Sequence, residues 1–98
     1  MNVISKKKLI EYYESHADAK EALLTWHGIV AKAEWQDPED VRADFPKAEP
    51  VGDKRVVFNI KGNHYRLVAR ISYEYKHVLI KWIGTHAEYD KIDVLEVD

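Results

Sequence analysis

Hydrophobic positions follow two rhythms along this chain, a helical one in the first third and an alternating one from Arg55 onward. Leu9, Ile10, Tyr12, Tyr13 and His16 recur at helical spacing, while Lys6, Lys7, Lys8, Glu11 and Glu14 take the opposite side. That predicts an amphipathic helix with Ser5 as N-cap, running to about His16, behind a short strand over Met1 to Ile4. Asp18 predicts the start of a second helix through Glu34, with Ala22, Leu23, Trp26, Ile29, Val30 and Ala33 as its apolar stripe. The short link between the two predicts an antiparallel pair. Asp37 before Pro38 has the form of a helix start, a capping carboxylate with proline in the first position, and predicts one or two turns before Phe45-Pro46. Pro46 to Asp53 reads as a loop by its Pro, Gly and charge content.

From Arg55 the period becomes two. Val56, Phe58 and Ile60 alternate with Arg55, Val57, Asn59 and Lys61, a half-buried strand. Gly62-Asn63 matches a two-residue hairpin turn of the kind that wants glycine first. With that loop Lys61 faces His64, Ile60 faces Tyr65, Asn59 faces Arg66 and Phe58 faces Leu67, so polar meets polar and apolar meets apolar at each rung. An even-length turn around Tyr75-Lys76 would then set Ile71 opposite Ile80, Ala69 opposite Trp82, Arg70 opposite Lys81 and Arg66 opposite Thr85.

The predicted fold class is therefore α+β, with order β-α-α-β-β-β over a single domain of residues 1–98. Two helices cover one face of a twisted, mainly antiparallel sheet. That face carries Val56, Phe58, Ile60, Tyr65, Leu67, Ala69, Ile71, Val78, Ile80 and Trp82. The other carries Asn59, Lys61, Arg66, Arg70 and Lys81 among Val57, Val68, Leu79 and Ile83. It is too apolar to be merely solvated and too basic to be core, which points to a partner surface.

Composition narrows the chemistry. The absence of cysteine excludes a disulfide framework, a thiolate metal site and a cysteine nucleophile, and fits a reducing cytoplasm. MNVISKKKLIEYY has no apolar h-region, and no apolar run reaches membrane-spanning length, so neither a signal peptide nor a membrane helix is expected. The formal net charge of −2 is spread unevenly. Acidic residues dominate from Glu34 to Asp53, and basic ones from Lys54 to Lys91.

The strings VVFNIKGNHYRLVARI and WIGTHAEYDKID, taken with the element order, resemble the RelE/ParE toxin superfamily, and specifically its HigB branch of type II toxin–antitoxin systems. The resemblance spans nearly the whole chain, and the pairing of GN-x-[YF]-R with THAEYDK is its most specific part. It implies a metal-independent endoribonuclease that cleaves mRNA, commonly on the ribosome. It also implies neutralisation by a HigA-type helix-turn-helix antitoxin, with promoter DNA bound indirectly through that complex. Superfamily members of the ParE type poison DNA gyrase by binding alone, so that reading, like that of a non-catalytic interaction module, shares the same fold.

Cleavage of RNA by its own 2′-OH needs a base, cations at the crowded phosphorus and an acid for the 5′-oxygen. The predicted register brings Asn59, Arg66 and the Thr85-His86 segment to one end of the sheet, with Lys61 and His64 beside them. Arg66 is the candidate phosphate clamp, since a guanidinium offers a fixed fork; the competing reading pairs it with Glu88 or Asp90. Lys61 is a candidate for charge stabilisation. His86 is the leading acid or base, because histidine ordinarily titrates nearest neutrality. Tyr89 would stack on a base or donate its hydroxyl to the leaving oxygen. Asn59, His64, Arg70, Lys81, Asp90 and Lys91 would position or grip the RNA. Neither a metal nor a cofactor is expected: His86, Glu88 and Asp90 do not have the spacing of three ligands from one short helix.

Overall fold

The alternating segment forms the centre of a five-stranded sheet in the computed structural model, which describes residues 1–98. The strands are β1 (Asn2–Ile4), β2 (Glu49–Pro50), β3 (Arg55–Ile60), β4 (Tyr65–Ser72) and β5 (His77–Thr85), in spatial order β1-β5-β4-β3-β2. Only the β1–β5 pair is parallel. The two-residue β2, on the Pro46 to Asp53 segment read as loop, extends the sheet beyond β3.

Helices α1 (Lys6–Ser15) and α2 (Lys20–Lys32) follow the helical stripes and are joined by a 3-10 turn over Ala17–Ala19. Leu9, Leu23, Trp26, Val30 and Ala33 are buried against Val56, Phe58, Ile60, Leu67, Ala69, Ile71, Val78 and Ile80 in one core. Ile29, expected inside, is more than a third exposed. Ser5 starts α1 in a left-handed conformation, φ 70°, and its side chain caps nothing. Asp18 does not cap α2 either; its carboxylate turns to Tyr65 and Lys61. The third helix, α3 (Pro38–Asp44), begins as the Asp-Pro pair predicts, with the Asp37 carboxylate accepting from the Asp40 amide at 3.0 Å. It adds Val41 to the core.

The β3–β4 register is the predicted one from Ile60↔Tyr65 through Asn59↔Arg66 to Phe58↔Leu67. Gly62 supplies the positive φ, 64°, that the turn requires. Lys61 before it is also left-handed, φ 53°, which takes its side chain out of the strand's alternation.

The β4–β5 register departs from expectation. Four residues, Tyr73 to Lys76, make the connection, closed by the Ser72 hydroxyl accepting from the Tyr75 amide and by Lys76 at φ 59°. Ile71 therefore faces Val78 and Ala69 faces Ile80. A β-bulge then leaves Lys81 without an opposite residue, so that Val68 faces Trp82 and Leu67 faces Ile83. The bulge re-phases the strand. Trp82, expected in the core, lies on the other face, and Ile83 packs against the core instead.

That second face is not bare. Val57 and Val68 are buried there, and residues 93–98 are tied across it. The Arg55 guanidinium, 7% exposed, donates to the carbonyls of Val94 (3.0 Å) and Val97 (2.7 Å). Much of the surface expected to await a partner is thus covered by the chain itself.

Candidate functional site

Where β5 ends, Thr85 turns the chain into α4 (His86–Tyr89) through a reciprocal cap. Its hydroxyl accepts from the Glu88 amide at 3.1 Å, and the Glu88 carboxylate accepts from the Thr85 amide at 2.8 Å. The bond from the Thr85 amide is the largest cause that holds the Glu88 carboxyl below the usual carboxylate range, with the Thr85 hydroxyl a smaller one. The His86 amide donates to the His64 carbonyl at 3.1 Å, which fastens the start of α4 to the β3–β4 turn. Four residues made to a helix this short would not hold alone; the cap and the strand contact hold it.

The fold brings Arg66, Tyr89 and Trp82 together. Arg66 faces Asn59 on one side and Gly84 on the other. Its guanidinium lies 5.9 Å from the centre of the Tyr89 ring, which in turn packs 6.2 Å from Trp82. Gly84 makes room for this: a Cβ there would fall 2.3 Å from the Trp82 indole. Arg66 makes no ion pair, so neither Glu88 nor Asp90 neutralises it. It is a half-buried cation with its charge available.

His86 is partly exposed, with Nδ1 3.4 Å from Asp90 Oδ2. The two side chains are i,i+4 neighbours, one helical turn apart. Burial pushes the Tyr89 phenol above its ordinary value of 10.0, Glu49 adds to the shift and Arg66 opposes it. Glu49, on β2, adds a negative charge near this ring, and no short-range pattern places it there.

Other candidates are drawn elsewhere. The Lys61 ammonium pairs with Asp18 at 3.2 Å, on the helix side of the sheet, beside the Tyr65 hydroxyl that donates to the same carboxylate at 2.7 Å. Both bonds lower the Asp18 pKa, that from Tyr65 more. Arg70 pairs with Asp53 at 3.6 Å at the far end of the face. Lys81, on the bulge, pairs with Asp98 at 3.3 Å and lines a groove against α1 with Lys8 and Tyr12. Burial, with Glu88 next, pushes the Tyr12 phenol up to about 12. Asn59 stays beside Arg66, while His64 and Lys91 are exposed at the rim. Trp82 is the residue that sequence reasoning missed; only the bulge reveals its side. No three His, Asp or Glu side chains gather as metal ligands.

Known proteins bear on this arrangement. Residues 19–92 match the family model described as HigB_toxin, RelE-like toxic component of a toxin-antitoxin system. The "mRNA interferase toxin HigB" of Escherichia coli K12 is 34% identical over 92 residues, covering 92% of this chain and 88% of that protein. An "mRNA interferase HigB" of Shigella flexneri matches to the same extent. One from Escherichia coli O6:H1 is 30% identical over 94 residues, 94% of this chain and 91% of its own.

Proposed function

Since the chain belongs to the HigB toxins, the RelE-like toxic components of toxin–antitoxin systems, we propose that it is an mRNA interferase whose active surface is the end of the sheet around Arg66. The relatives carry that activity in their names. The observation that carries the site assignment is Arg66: a cation without an ion-pair partner, held against the ring of Tyr89 on the helix that also bears the His86–Asp90 pair.

The reaction proceeds without a metal. The 2′-oxygen attacks phosphorus as its proton passes to a base, the bond to the 5′-oxygen breaks, and that oxygen takes a proton; the products are a 2′,3′-cyclic phosphate and a 5′-hydroxyl. Arg66 meets the charge growing on the non-bridging oxygens. His86, oriented by Asp90, accepts the 2′-proton. The Tyr89 phenol, neutral at working pH as any unperturbed tyrosine is, donates to the leaving oxygen, and Asn59 positions the phosphate. Lys61 is held by Asp18 and has no part in this scheme. His64 and Lys91 serve the RNA backbone at the rim, with Arg70 and Lys81 further along.

The message is cut on the ribosome, and the partner is a HigA-type antitoxin through which promoter DNA is bound. Primer extension on an abundant mRNA, before and after induction of the chain without a partner, tests the reading. New 5′ ends within translated codons that vanish with Arg66→Ala support it. Growth arrest with intact messages would move the argument to a bound target such as gyrase.

A further inference from the structure

We propose that a cleft beside the β3–β4 turn is a nucleobase pocket, and that it selects a base with an exocyclic amino group next to the scissile phosphate. The proposal rests on the nuclease reading above and adds a specificity element to it. The cleft, of ≈ 340 Å³, lies between the segment after α3 and the end of β3. It exists because β2 pairs with β3 only at Val56 and Val57, leaving the edge of β3 unpaired from Phe58 onward. Asn59 borders the cleft and is also the cross-strand neighbour of Arg66. A strand of RNA with one phosphate on Arg66 would therefore bring an adjoining base to the cleft mouth.

Its walls are suited to a base. The Phe45 ring is fixed edge-on to Phe58 (5.0 Å) and Trp35 (6.1 Å) and offers an apolar wall. Asp44 is held in place by the buried Trp35, whose Nε1 donates to Oδ2 at 2.9 Å. That bond occupies one carboxylate oxygen and leaves the other as an acceptor. No cation pairs with Asp44, and none of the acidic side chains pairs with the exposed Lys47, which is free for an adjoining phosphate. Adenine, cytosine and guanine each carry an amino group that can donate to the free oxygen. Uracil has none, and its ring N–H is flanked by carbonyl oxygens that repel a carboxylate.

Asp44→Asn tests this, because an asparagine oxygen can still accept from Trp35 while its amide presents a donor to the cleft. Mapping 5′ ends across all messages after induction of each form gives the readout. For the wild-type chain, uridine should be depleted at one fixed position beside the cut. The variant, melting within a few degrees of the wild type, should enrich uridine there by about tenfold, the scale of one hydrogen bond exchanged. Cuts with uridine at its background frequency in the wild-type map, or an unchanged pattern in the variant, would overturn the pocket and leave the nuclease reading standing. No new ends from the wild-type chain would overturn both.

Discussion

The two faces of the sheet are held in different ways. Under the helices, Phe58, Leu67, Ala69, Ile71 and Ile80 meet Leu23, Trp26 and Val30 in a continuous apolar core, where stability comes from area removed from water. On the opposite face Val57 and Val68 are also buried, but what secures it is polar. One guanidinium grips two carbonyls, Lys81 meets Asp98, and a four-residue helix stands on a capping box. Hydrogen bonds and exposed ion pairs are individually weak. One face sets the fold, and the other can carry a site whose charges are left uncompensated.

Four changes test that division. The largest effect on stability belongs to the core: Phe58→Ala should cost about 3–5 kcal/mol, read from the midpoint of a denaturant titration. That is a large part of the about 5–15 kcal/mol typical of a domain. Arg66→Ala should do the reverse, lowering cleavage by about 10²–10³-fold, as loss of one charge-stabilising donor does, with the melting temperature nearly unchanged. A large drop in melting temperature would make Arg66 a structural residue.

Arg55→Met lies between them. Losing the bonds to Val94 and Val97 should cost about 2 kcal/mol and expose residues 93–98 to limited proteolysis while the core stays protected in hydrogen exchange. Equal protection of the tail in variant and wild type would show that side-chain burial, not Arg55, holds it.

The smallest effects are those of pH. Asp18 and Glu88 have depressed pKa values, so what they contribute is present above the ordinary carboxylate range and lost as pH falls through their lowered values. Tyr12 works in the opposite sense. Raised from 10.0 to about 12, it contributes fully below 10.0 and loses that contribution as pH rises towards about 12. The melting temperature should fall at both ends, and Tyr12→Phe should make the alkaline limb shallower and leave the acid limb unchanged, with Tyr65, Tyr73 and Tyr89, also raised, sustaining the remainder.

How much of this is legible in the sequence depends on whether punctuation is local. The β3–β4 hairpin is legible because Gly62 marks its turn and each rung matches in polarity; α3 is legible because Asp37-Pro38 announces it. The turn before β5 has no such mark, since Lys76 takes a left-handed conformation without being glycine. The bulge leaves no trace either: Trp82 and Ile83 are both apolar, so the pattern reads equally well in either phase. The Lys61–Asp18 pair joins residues 43 apart, and Arg55 reaches carbonyls 39 and 42 residues away. No short-range pattern encodes such contacts. The convergence of Asn59, Arg66 and the end of β5 is therefore legible, while the packing of Trp82 behind Tyr89 is not.

Lys81 acts in this strand as a spacer. Before it, residue parity assigns Ile80 to the core; after it, the same parity has been shifted by one, so that Ile83 enters the core and Trp82 backs the ring beside Arg66. For the fold its side chain supplies one ion pair, to the exposed Asp98, which is individually weak, so most substitutions there should leave the fold intact. Deleting the residue would remove the bulge and keep the phase on both sides of it, with Trp82 still opposite Val68 and Ile83 still opposite Leu67. The position is permissive in chemistry and in count, so a one-codon deletion that would flip the side chains elsewhere in β5 should be accepted here.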